Sequence, residues 1–160
     1  MIVVGDTHSQ NLPGVAALVA EFGFQYEPFD AGHHCFGHCQ INHGLTLATG
    51  QHISVNDDDD IWTDNARDLM RRGTDVWPDA VLLYQYRSYY GRQVYWHTPG
   101  LLLRDHIGGH SVVAPNVQDK LGRFACAYNG DFDYVESTVN NFGGPSKAIW
   151  ISDLIAIARP

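Results

Sequence analysis

Residues 1–23 read MIVVGDTHSQNLPGVAALVAEFG, and this stretch decides the fold class. Ile2 to Gly5 is a short apolar run ending at a turn, which predicts a buried strand. Leu12-Pro13 then opens a helical pattern through Val15, Leu18, Val19 and Phe22, closed by Gly23. Strand, loop and helix in that order begin an α/β domain. Asp6 and His8 stand two apart directly after the strand, so both side chains leave the sheet on one side at its C-terminal edge. Open α/β sheets gather their ligands at that edge, and a carboxylate with an imidazole there is a metal-site pattern. A capping Asp followed by an exposed His is the structural alternative.

Working outward, the spacing predicts a short strand near Phe24 to Phe29, followed by loops dense in Gly, His and Cys up to Gly50. A strand from His52 to Val55 runs into the acidic cluster Asn56, Asp57, Asp58, Asp59 and Asp60. Ile61 to Arg72 has helical spacing and stops at Gly73, which places the carboxylates at a helix start where the dipole favours them. Two β-rich runs, Ala80 to Tyr86 and Gln93 to Trp96, predict a hairpin with Gly91 in its turn, and His97 lies just past it. Beyond them come Gly108-Gly109-His110, a strand candidate from Arg123 to Tyr128, a turn at Asn129-Gly130 and a final strand from Ala148 to Ile157.

The chain of 160 residues is the usual size of one domain, and residues 1–160 are read as such. Hydrophobic residues make up 44% and charged residues 18%, yet no apolar run approaches the roughly 20 residues needed to span a bilayer. The N-terminus reaches Asp6 without a basic start and is read as a strand rather than a secretory signal. Three cysteines do not make the even framework of a stapled secreted protein, so the expectation is a cytoplasmic, reduced protein. The net charge of −8 opposes binding to a phosphate backbone, and no basic stripe with interleaved aromatics offsets it. An acidic protein still handles a small phosphate ester where metal ions supply the positive charge.

The opening VVGDTHSQNLPGVAALVAEFG resembles that of the calcineurin-like metallophosphoesterases: strand, Gly-Asp-x-His, a short loop with Leu-Pro, and an amphipathic helix. Family members continue with an Asp after a second strand, an Asn motif after a third, a His after a later strand, and a late Gly-His motif. The counterparts in this chain are Asp30, Asn56-Asp57, His97 and Gly109-His110, with Val112 standing where a second late histidine is usual. The resemblance implies a single-domain α/β sandwich of mixed sheets flanked by helices. It also implies a hydrolase for a phosphate monoester or diester with two divalent metals, whether manganese, iron, nickel or zinc. In that reading Asp30 bridges the ions, Asp6, His8 and His110 hold one, and Asn56 and His97 the other. Catalysis falls to His97 and to Asp57, which orients the attacking water.

Other clusters offer competing chemistry. Cys35, His38, Cys39 and His43 could supply a zinc site, although structural zinc usually draws on two separated knuckles and this chain has no second Cys pair. The alternative is a loop lining a site, with the cysteines acting as small hydrophobes. A thiol hydrolase would use Cys35, Cys39 or Cys126 with one of nine histidines as base. A non-catalytic structural protein, for example a viral or other assembly component, is the remaining alternative. The aromatics Tyr84, Tyr86, Tyr89, Tyr90, Tyr95 and Trp96 read as cross-strand packing before they read as a stacking platform.

Overall fold

The computed structural model describes residues 1–8, 11–32, 35–88, 94–95 and 98–158. His97, the hairpin turn at Gly91, and His33, His34, Tyr89, Tyr90 and Trp96 lie outside the described residues. Strand β1 (Ile2–Asp6), helix α1 (Leu12–Glu21) and strand β2 (Gln25–Phe29) form a βαβ unit, with β1 and β2 parallel and Asp6 in register with Phe29. Pro13 in the first turn of α1 removes an amide that would be unpaired anyway, and Gly23 takes a φ of 68° as the chain leaves the helix.

Helix α2 (His38–Leu47) follows, in a stretch where the sequence predicts loops. Strands β3 (His52–Ser54) and β4 (Ile61–Trp62) come next, then helix α3 (Ala66–Val76), strand β5 (Leu82–Ser88) and strand β6 (Val94–Tyr95), which pairs antiparallel with β5 as the hairpin reading expects. The helix expected from Ile61 therefore starts five residues later, because Ile61 and Trp62 pair with the last strand instead. A single 3₁₀ turn at Gly109–Ser111 leads into strand β7 (Val112–Pro115). Helix α4 (Gly130–Asn141) and strand β8 (Ile149–Ala158) complete the chain. The strand expected from Arg123 to Tyr128 is irregular backbone, and the turn expected at Asn129 is present and leads directly into α4.

The larger sheet runs β3-β7-β5-β8-β4, antiparallel except for the parallel β5–β8 pair. Alternation along β5 divides the core between its two faces. Leu83 joins Val112, Leu45, Phe124, Tyr134 and Val135 on the side of α2 and α4. Leu82 and Tyr84 join Val113, Ala66, Leu69 and Ile155 on the side of α3. Val112, aligned in sequence with a metal-ligating histidine, is instead a fully buried β7 residue opposite Leu83. The α/β class is therefore observed, with helices on both faces of a mixed sheet. Among the described residues no helix is long and apolar enough to cross a membrane.

Candidate functional site

The site residues expected from sequence fall into two groups. At the ends of β1 and β2, the Asp6 carboxylate accepts from the His8 backbone N–H at 2.9 Å, and His8 Nε2 lies 3.1 Å from Asp30 Oδ1. The Gly32 N–H donates to the same Asp30 oxygen. That bond, and secondarily the one from His8, holds the Asp30 carboxyl below the usual carboxylate range. Both His8 and Asp30 are exposed.

The second group gathers where β3 ends. Asn56 donates to the backbone carbonyls of Asp57 and Asp60 and so folds the acidic run back on itself. Asp60 Oδ2 lies 3.3 Å from His110 Nδ1, and both side chains are almost fully buried, at 4% and 8% exposure. Gly108 leaves room for that imidazole, since a methyl there would lie 2.9 Å from the ring, and Tyr86 packs edge-on against it at 4.0 Å. The Asp57 residue is exposed as a whole, but its carboxyl end is crowded. Loss of water raises its pKa first, repulsion from Asp131, Asp60 and Asp59 adds to this, His110 opposes it, and the result is about 6. Buried polar atoms without a partner among the described residues include Ser54 Oγ, Asn56 Oδ1, His110 Nε2 and Ser111 Oγ, all on or beside β3 and the turn before β7. Buried polar groups are normally satisfied, so this concentration marks a place prepared for water or a ligand.

Asp131 reaches this cluster from the first turn of α4 and is a site residue the sequence reading missed. Its partner is His38 on α2, with Nε2 3.2 Å from Asp131 Oδ1 and Nδ1 2.6 Å from the Ala125 carbonyl oxygen. One turn further along α2, the Asn42 amide bonds both the N–H and the C=O of Phe124. Ahead of the helix, Cys35 is disulfide-bonded to Cys126. Positions 35, 38 and 42 thus grip three consecutive residues, 126, 125 and 124. The helical spacing of His38 and Asn42 was the available signal, and it was obscured by the cysteines around it.

Among the described residues the candidate metal ligands stand in two separate groups, and His97 lies outside those residues. None of Asp6, His8 and Asp30 hydrogen-bonds or ion-pairs with Asn56, Asp57 or His110. Among the described residues no three of His, Cys, Asp and Glu come together as a metal-holding group. Cys35 and His38 are committed to Cys126 and Asp131, and His43 lies 3.5 Å from Glu27, so the zinc ligands are dispersed. Cys35 and Cys126 are joined in a disulfide, against the expectation of a reduced protein, and Cys39 stands outside that bridge.

No protein family model matches the sequence, and no curated protein matches it. Solved structures do. The crystal structure of S. aureus TarS 1–349 in complex with UDP superposes with a TM-score of 0.73 at 17% identity, covering 99% of this chain and 50% of that one. For TarS 1–349 in complex with UDP-GlcNAc the values are 0.73, 16%, 99% and 49%. A further S. aureus TarS crystal structure gives 0.75 and 14%, covering 99% of this chain and 30% of that one. This chain has the TarS fold. It spans half or less of the TarS chains it matches. The likeness corrects the metallophosphoesterase resemblance, and with it the binuclear phosphoester hydrolase. A strand, an Asp at its end and a helix begin many open α/β folds, so residues 1–23 do not separate one family from another.

Proposed function

We propose that this chain binds a nucleotide sugar of the UDP-GlcNAc class and transfers its sugar to an acceptor hydroxyl. The observation that carries the reading is the crowding of Asp57, Asp60 and Asp131 at the end of β3, within a fold shared with proteins crystallised with UDP and UDP-GlcNAc. Carboxylates alone repel a diphosphate, so such a cluster suits one only with a divalent cation between them. Asp57 and Asp59, two apart after the strand, would hold that cation. The raised Asp57 pKa and the unpartnered Asn56 Oδ1 are the marks of a site short of positive charge. Magnesium and manganese suit such a site, because they bind one or two carboxylates and complete their shell with substrate phosphates and water. Such an ion supplies positive charge to the departing diphosphate.

Asp131 then serves as the base. It takes the proton of the acceptor hydroxyl while that oxygen bonds to C1 of the sugar, and the C1–O bond to the β-phosphate breaks to release UDP. The edge formed by Asp6, His8 and Asp30 at the ends of the parallel strands would receive the nucleoside. Isothermal titration calorimetry with UDP tests the reading. Binding in manganese is expected to be at least about tenfold tighter than in EDTA, and Asp57→Ala is expected to erase the difference. UDP binding that is absent, or indifferent to both manganese and Asp57→Ala, would sink the proposal.

A further inference from the structure

We propose that His38 is a positioning residue that sets the orientation of the Asp131 carboxylate from α2, a role that rests on the glycosyl-transfer reading above. His38 is only 5% exposed, so its ring nitrogens depend on protein partners. The Ala125 carbonyl accepts but cannot donate, so Nδ1, 2.6 Å away, carries a hydrogen. Nε2 faces a second acceptor, Asp131 Oδ1, at 3.2 Å. Nδ1 is thus the nitrogen anchored to backbone, and Nε2 the one turned toward Asp131.

The ring has little freedom to turn. Phe36 and Phe124 flank it, with centroids 6.0 and 5.4 Å away. Gly130 closes the remaining side: a methyl there would lie 2.5 Å from Nδ1 and overlap the Ala125 oxygen. The backbone that receives Nδ1 is fixed as well, because Phe124 is held at both polar groups by Asn42 and Cys126 by Cys35. One end of the imidazole is therefore anchored to rigid backbone, and the other is directed at Asp131. This fixes Oδ1 and leaves Oδ2 for the acceptor hydroxyl.

The grip on residues 124–126 has two further members, so His38→Gln removes the ring without releasing the segment. UDP release from UDP-GlcNAc in manganese is the measurement. His38→Gln is expected to lower kcat by about 10- to 100-fold and leave KM within about twofold, because the contact matters to the reacting proton rather than to donor binding. His38→Ala should fall further, since glutamine still offers Asp131 a donor. In an Asp131→Asn background, His38→Gln should change nothing more. An unchanged kcat in His38→Gln, or an equal loss in the Asp131→Asn background, overturns the role of His38 while leaving the transfer reading standing. A wild-type chain that neither binds UDP nor releases it from UDP-GlcNAc overturns both.

Discussion

Asp57 is the residue on which the charge balance of the molecule turns. Its carboxyl is raised from 3.8 to about 6, first by loss of water and then by Asp131, Asp60 and Asp59. A carboxyl whose pKa is higher folded than unfolded stabilises the fold while protonated. That contribution is complete below about 4 and is lost as the pH rises through about 6. Asp57→Asn carries no charge to repel, so its stability should not fall across that window. Thermal melts of the ligand-free protein between pH 4 and 8 should therefore show wild type and Asp57→Asn together at the acid end, with the variant ahead above pH 6. The gap should be about 1 kcal/mol, or a few degrees, once the exposure of the residue is allowed for. Manganese at pH 7 should reverse the order by stabilising the wild type alone. Parallel melting curves at every pH would mean that solvent screens the crowding and that the acidic run is an ordinary solvated turn.

At the scale of elements, α2 and α4 together decide where the site forms, and both escaped the sequence reading. The apolar positions Ile41 and Leu45 of α2, with Ala48 just past its end, do follow a helical spacing and pack on the core. His, Cys, Asn and Gly residues occupy the rest of that helix and hide the period. In α4, Asn129-Gly130 has the composition of a hairpin turn, yet the acidic first turn, Asp131 and Asp133, and the apolar series Phe132, Val135 and Val139 belong to a helix. By contrast β1, β5 and β8 were legible because each is written largely as a run of apolar residues. The acidic run after β3 was visible, but its pairing with His110 and Asp131 was not, since spacing along the chain carries no record of contacts between distant elements. Gly130 gives the α2–α4 junction a direct test. Its first-turn position tolerates alanine by propensity, but the added methyl would meet His38 Nδ1 at 2.5 Å. Gly130→Ala is expected to cost about 1–3 kcal/mol in urea denaturation through overpacking. A neutral result would show that α4 can move away from α2 without loss.

At the scale of the whole molecule, α2 joins the β1–β2 unit to the larger sheet. Towards β2 it stacks His43 on Phe29, with centroids 4.3 Å apart, and sets that ring 3.5 Å from Glu27. Towards α4 it holds residues 124–126 through Asn42, His38 and the Cys35–Cys126 bridge. The bridge closes a loop across a separation of 91 residues, long enough that opening it should restore considerable freedom to the unfolded chain. Cys126→Ser, or reduction, is expected to lower stability by about 2–4 kcal/mol in urea. Asn42→Ala removes the bonds at the other end of the same three residues and leaves the Phe124 backbone groups unpaired, at a cost of about 1–3 kcal/mol. If 124–126 is one unit suspended between two anchors, either anchor alone keeps it in place, and losing both should cost about 1 kcal/mol or more beyond the sum. The double variant should then also release Asp131 from Asp57, so that manganese-dependent UDP binding weakens in the double variant more than in either single one. Strict additivity in both measurements would show instead that Phe124 and Cys126 are held independently, and that the site's geometry rests on α4 alone.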